Sequence, residues 1–472
     1  EGNLELSAYE RKRLKNLTEN AKFFAALKLH EVCGDSGQFL KIRIGKGRES
    51  SCSSALLGFV SEGFSGYLVW GRNEPPLCSC SCFGSQKCPM SFQPRVPAGP
   101  LPMVREDEES SKLAEDLLAT WRRISEVLVR SHSPAFFPCA TNVSVLLSRY
   151  KQSLNCMVLS EENIKKVVKS RVSSMAMHPS ESILFVAAGD KIGQIGLWNV
   201  DCKSEEGAQV FVPHNSLVSC MHFSPFNPAH LLSLSEDTLR CGDVTRAVFD
   251  DVCRGEESFS SFSFLDSAAS TAVVGHWGGS ASVVDRRTPG TSPELSADIG
   301  FKRLRTVHVH PAHKQYFLAA GAVDVSIYDV RCLKPSGNKP VSTLRGHTKS
   351  VASAYFSPVT GNRVVTVCAD DRLRGECSPL FSLPLFACCR HNNNTGRWLT
   401  RFQAVWDPKR EDCFVVGSMA RPRQIEIFQD TGKLLHSFVN LDLLGSVCSI
   451  NVVHPTKNIL VGGNSSGRLH VF

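Results

Sequence analysis

From about Ser173 to Phe472 the sequence runs in short apolar–polar alternations broken by turn residues, the period-two pattern of half-buried strands. The alternations themselves recur. A short strand ends on His-Pro or Ser-Pro, a polar turn follows, then an apolar strand ending in small residues, a turn, and another alternating strand. Ser174–Pro179 opens one copy, which closes on Ile195–Asn199; Cys220–Pro225, Thr306–Pro311, Ala352–Pro358, Ala404–Pro408 and Ile450–Pro455 open others. The intervals between Pro179, Pro225, Pro311, Pro358, Pro408 and Pro455 are 46, 86, 47, 50 and 47 residues. The 86 is two periods, and the intervening copy is Phe262–Asp266, without its proline. Seven copies at a period of about 40–50 residues predict a seven-bladed β-propeller, each proline lying just past a strand end. The chain reaches only the third strand of the last copy, so the β-branched run Ile164–Val172 is expected to supply the missing strand and close the ring.

The third strands finish on Trp198-Asn199, Val284-Asp285, Tyr328-Asp329, Ile427-Phe428 and Val471-Phe472, loose versions of a Trp-Asp ending, and Gly346-His347 is a Gly-His blade opening. The fold class is therefore all-β, a WD-repeat propeller over residues 164–472 with an N-terminal helical and disordered extension. In the fifth copy Asp370–Arg374 runs into Gly375–Pro379, which puts the third and fourth strands of that blade in doubt.

The first third of the chain has a different pattern. Leu14, Leu17, Ala21 and Phe24 repeat at helical spacing, with Arg11, Lys12, Arg13 and Lys15 on the other side, predicting an amphipathic helix within residues 1–33. Such a helix suits partner docking, nuclear import, or packing on its own propeller. Residues 34–110 read as a disordered Cys/Ser/Gly/Pro-rich insert with an acidic linker. Residues 111–163 read as a lead-in whose helix spans Ser111–Val129.

Composition adds limits. Hydrophobic residues make up 42% of the 472, enough for a large core. The 19 cysteines show no framework spacing in the propeller, which points to a reducing compartment. Cys78, Cys80, Cys82 and Cys88 lack the paired knuckle spacing of a zinc site, and no metal or cofactor is expected. No run is long enough to span a membrane. The net charge is +8, so what matters is where the cations gather.

Enzyme motifs are weak. Gly463–Gly467 matches a nucleophile elbow, but a strand follows it where a helix is required, so it reads as a hairpin turn. His308, His310 and His313 are explained better by first-strand packing than by a metal. A binding platform, not an enzyme, is expected.

Two basic loops stand out. Lys302, Arg303 and Arg305 precede the fourth copy, with Lys314 nearby. Arg397, Trp398 and Arg401 lie in the loop entering the sixth copy, and Arg421 and Arg423 sit on the next turn of that blade. Arginines flanking an aromatic at a loop tip suit phosphate neutralisation combined with insertion of a ring beside a base. The plain alternative is a solvated loop with Trp398 packed on the propeller.

The stretches Tyr9–Asn16, Gly189–Trp198, Val284–Pro289 and His391–Trp406 resemble the WD-repeat family that includes the small subunit of the ultraviolet-damaged-DNA-binding complex. The resemblance implies a nuclear protein that binds damaged or modified double-stranded DNA, with 5-hydroxymethylcytosine a candidate mark. It also implies contacts with chromatin proteins and a substrate-receptor role in a cullin-RING ubiquitin ligase. It adds Lys191 to the DNA-facing set and maps the family's DNA loop onto Arg397, Trp398 and Arg401. In such receptors an Asp-x-Arg at a third-strand end meets the adaptor subunit; Asp285 with Arg287 and Asp329 with Arg331 fit, unless each arginine merely closes its own strand. The competing reading is a protein-only chromatin scaffold whose basic face meets acidic partners.

Overall fold

The computed structural model describes residues 96–105, 111–130, 143–204, 207–377 and 387–472. Seven antiparallel sheets follow one another along the chain, six of four strands and one of five. Their innermost strands are Val172–Met177, Cys220–Phe223, Phe259–Phe264, Thr306–Val309, Val351–Phe356, Val405–Trp406 and Cys448–Val453. The innermost strand of blade one packs on that of blade two and also on that of blade seven, so the ring is closed.

The recurrent proline has a direct structural meaning. The residue before it donates its N–H to the second strand, as His178 does to Phe185, Ser224 to His230, His310 to Tyr316, Ser357 to Arg363, Asp407 to Cys413 and His454 to Ile459. That bond is the last rung of the hairpin, and the proline that follows needs no donor. Blade three makes the same rung from Leu265 to Thr271. There Asp266 replaces the proline, and its carboxylate accepts N–H bonds from Ser270 and Thr271 at 3.1 and 2.6 Å.

Closure is as expected. Ile164–Lys166 pairs antiparallel with Arg468–His470 as the outer strand of blade seven. Val167 and Val168 then donate to the Gly467 carbonyl. Gly467 has φ +79°, and a Cβ there would stand 1.9 Å from the Val168 carbonyl oxygen, so only glycine lets the closing segment pass.

Three readings change. Blade five is complete: Arg372–Cys377 pairs with both Arg363–Cys368 and Ala387–Arg390. Its charged third strand escaped pattern reading because the Arg374 side chain folds back onto Asp370. The end of the stretch expected to be disordered is ordered: Leu101–Pro102 adds a fifth strand to blade two by pairing with Phe249 and Val248. It is held by the buried Arg240 and by Arg254, both of which donate to the Pro97 carbonyl and pair with Asp251. Finally, a second helix, Val143–Asn155, follows the expected one, which spans Ser111–Arg130. We label these helices α1 (Ser111–Arg130) and α2 (Val143–Asn155). The helix expected within residues 1–33 and the cysteine cluster Cys78–Cys88 lie outside the described residues. No described helix is long and apolar enough to cross a membrane.

Candidate nucleic-acid interface

In a blade whose strands run antiparallel from channel to rim, the first and third turns emerge on one face. The second turn and the link to the next blade emerge on the other. This fixes the face of every candidate residue. Lys191 lies in the second turn of blade one; Lys302, Arg303 and Arg305 in the link from blade three to four; Arg397, Trp398 and Arg401 in the link from five to six; and Arg421 and Arg423 in the second turn of blade six. All nine therefore share one face, called upper here. Lys314 follows the first strand of blade four and lies on the lower face, so it does not join the cluster as its nearness in sequence suggested.

The loop from His391 to Phe402 spans the mouth of the channel. Its base is fixed by Asn393, whose N–H bonds the Asp371 carboxylate at 2.9 Å and whose side-chain amide donates to the Cys368 carbonyl at 2.8 Å. The buried His391 ring lies edge-on to Phe402. Its far end reaches blade one, where the Thr400 hydroxyl donates to the Val172 carbonyl at 2.5 Å and Arg171 donates to the Arg397 carbonyl at 2.8 Å. At the tip Trp398 is 77% exposed. The Arg397 guanidinium lies over its ring at 5.3 Å. Trp398 is thus presented to solvent and not packed on the propeller, with the Arg397 guanidinium as its ring partner.

The cations differ in availability. Lys191, Lys302, Arg303, Arg397, Arg401 and Arg421 are exposed. Arg401 also sits close enough to Arg303 that partial desolvation and this like charge both lower its pKa. Arg305 is half-buried, stacked over Trp277 at 5.5 Å. Arg423 turns back to donate to the Met419 carbonyl at 2.8 Å, which makes it a brace of its own turn more than a free cation. The same face carries Arg345 and Lys349, exposed in the link from blade four to five, which the sequence reading passed over. They flank Gly346-His347, so their place in the repeat was the signal that could have found them. The exposed acids Glu236, Glu256 and Glu257 gather on this face at blades two and three, and the exposed cations occupy the remaining sectors, from the link between blades three and four round to blade one.

Asp285 and Asp329 end third strands and therefore lie at the lower face. Each accepts a fork from the arginine two residues on, Arg287 at 2.9 and 2.6 Å and Arg331 at 3.0 and 2.6 Å. Those hydrogen bonds hold both carboxyls below their ordinary pKa. Arg287 and Arg331 remain 71% and 67% exposed, so the two pairs present matching guanidinium groups on adjacent blades. The helices lie on this same face. Trp121 and Ser125 of α1 meet Pro228 and His178 at blades one and two, and Tyr150 of α2 donates to Asp407 at blade six. The Asp-x-Arg pairs of blades three and four fall between the sectors the two helices cover.

The remaining polar clusters serve packing. His308 accepts from the Phe356 N–H at 3.2 Å, and His310 accepts from the His313 N–H at 3.0 Å. Among the described residues, His347, Cys368 and Asp370 have ligand atoms close together. Both His347 nitrogens are already engaged, by Thr366 at 2.8 Å and Asp370 at 3.3 Å, and burial pushes the Cys368 thiol up to about 11. This is the polar brace of blade five. The Gly463–Gly467 sequence forms a hairpin turn, with Asn464 accepting the Ser466 and Arg468 N–H groups.

No family model matches the chain. It is 48% identical to WD repeat-containing protein 76 of Mus musculus and 49% identical to that of Xenopus laevis, in each case over 99% of this chain and over 74% and 80% of those proteins. The chain belongs to the WD repeat-containing protein 76 family. More distant similarity extends to the DNA damage-binding protein cmr1 of Neurospora crassa, 25% identical over 64% of both chains. The seven described blades form the propeller, with α1 and α2 packed on its lower face.

Proposed function

We propose that this WD repeat-containing protein 76 relative binds damaged or modified double-stranded DNA on its upper face, with 5-hydroxymethylcytosine as a candidate mark. The observation that carries the reading is the loop His391–Phe402, which holds an exposed Trp398 beside Arg397 across the channel mouth. Lys191, Lys302, Arg303, Arg305, Arg401, Arg421 and Arg423 supply positive charge on the same face, Arg423 with least freedom to do so. Phosphate contacts give affinity that falls with salt, and an inserted ring is favoured where a base is already unstacked by damage. The name carried by the Neurospora crassa relative supports this reading. The lower face then takes the adaptor of a cullin-RING ligase through the Asp285–Arg287 and Asp329–Arg331 forks, so that the propeller acts as a substrate receptor working on chromatin in the nucleus.

Gel-shift titration of damaged, 5-hydroxymethylcytosine-containing and unmodified duplexes against salt tests the DNA reading. The expected result is a steep salt slope that drops by about one in Arg397→Ala for every duplex, while Trp398→Ala removes the preference among duplexes. Failure to bind any duplex near physiological salt overturns it.

A further inference from the structure

We infer that Arg171 and Thr400 form a clamp that positions Trp398, so that the segment closing the propeller ring also sets the geometry of the DNA loop. This rests on the DNA reading only for what the loop touches; the clamp itself is a property of the free protein.

The anchor side is fixed from several directions. The run Val167–Val172 leaves the closing strand and is tied down on both flanks. Val167 and Val168 donate to Gly467 of blade seven. On the other flank Lys169 donates to the Gln194 side chain and Ser170 to Asp190, each at 3.1 Å. Lys191 donates in turn to the Arg171 carbonyl. Asp190 is fully buried and also accepts from Ile192 and Gln194 at 2.9 Å, so this platform joins blades seven and one rigidly.

Among the described residues the loop side has no comparable support at its tip. Between Thr395, which is buried, and Phe402, also buried, the exposed residues Gly396, Arg397 and Trp398 project outward. Among the described residues, two hydrogen bonds carry this segment across to the platform: the partly buried Arg171 donating to the Arg397 carbonyl at 2.8 Å, and the Thr400 hydroxyl donating to the Val172 carbonyl at 2.5 Å. They bracket Trp398 from either side in sequence. An aromatic that must enter a base stack benefits from being held in place beforehand, because the cost of ordering it is then met in folding and not in binding. A charge-assisted bond to a carbonyl is the stronger of the two holds. Arg171 is therefore a positioning residue, acting through the backbone of Arg397.

The test reads the clamp without DNA first. The chain, which has six tryptophans, is labelled with 5-fluorotryptophan, and the Trp398 resonance is assigned by its loss in Trp398→Phe. In Arg171→Ala combined with Thr400→Val, that resonance should shift and narrow while those of Trp198 and Trp406 stay in place. Thr400→Ser, which keeps the hydroxyl, should leave it unmoved. With DNA, the double variant should lose about tenfold in preference for damaged over undamaged duplex. A Trp398 resonance unchanged by the double variant overturns the clamp. So does an Arg171→Ala variant whose only effect is a salt slope lower by about one, since that is the mark of a direct phosphate contact. If the unsubstituted chain shows no preference among duplexes, the proposed function fails, and the resonance alone still decides the clamp.

Discussion

The Trp121 indole donates its N–H to the Pro228 carbonyl at 2.9 Å, pinning α1 to the first turn of blade two. The ring is fully buried, stacked on Phe185 and edge-on to Phe223, and Ser125 one turn later meets His178. Helix α1 is thus part of the propeller's core. Trp121→Ala should cost about 3–5 kcal/mol by leaving a cavity and an unpaired carbonyl. Thermal unfolding should register that loss. DNA affinity of the folded fraction should stay the same, because the substitution lies on the lower face.

The lower-face forks predict a different separation. Arg287→Ala with Arg331→Ala should abolish capture of the ligase adaptor in a pull-down without a measurable change in melting temperature, since both guanidinium groups are exposed. An adaptor that still binds the double variant would refute the assignment.

The acidic sector of the upper face sets a limit on where a duplex lies. Glu256→Lys with Glu257→Lys should raise affinity for any duplex and steepen the salt slope by about one for each new phosphate contact. Preference among duplexes should fall, because the added binding does not pass through Trp398. A salt slope equal to that of the unsubstituted protein would mean that DNA never approaches this sector.

Buried histidines make stability depend on pH. Burial lowers the pKa of His178 and of His214 to about 3. The unfolded chain, with histidines near 6.5, binds more protons than the folded one between pH 6.5 and 3. Their contribution is therefore complete above pH 6.5 and is lost as pH falls through that window, by up to about 1.4 kcal/mol per pH unit for each histidine. Melting temperature should drop between pH 7 and pH 5, and His214→Asn should flatten the curve even though it removes the hydrogen bonds to Ser233 and Thr238.

Much of this architecture was legible because the propeller writes its turns into the chain. Pro179, Pro225 and their equivalents mark the last rung of six inner hairpins, and the β-branched run Ile164–Val172 stood out as strand sequence lacking a blade, of which Ile164–Lys166 forms the closing strand. The fifth blade was obscure because Arg372, Arg374 and Glu376 break the apolar alternation, and only the fold shows Arg374 turned onto Asp370. Helix α2 carries Leu147, Tyr150 and Leu154 at helical spacing, but so short a run next to strand-forming segments gives little periodic signal. The basic loops were visible one at a time. Their common face follows from strand order. The acidic sector exists only in three dimensions: Glu236 and Asp237 in one turn meet Glu256 and Glu257 in the next link through bonds from Phe259 to Glu236 and from Gly255 to Asp237.

Ring closure has a consequence for how the protein is made. Because Ile164–Lys166 pairs with Arg468–His470, a chain emerging from the ribosome carries its closing strand long before that strand has a partner. Until the final hairpin is released, the edge of blade one and that early strand are both open to wrong pairing. The Arg171–Arg397 contact reaches from that closing segment to the link between blades five and six, so the segment that waits for its partner strand also carries the anchor of the tryptophan loop. The surface that is proposed to read DNA is completed only once Arg468–His470 has joined Ile164–Lys166.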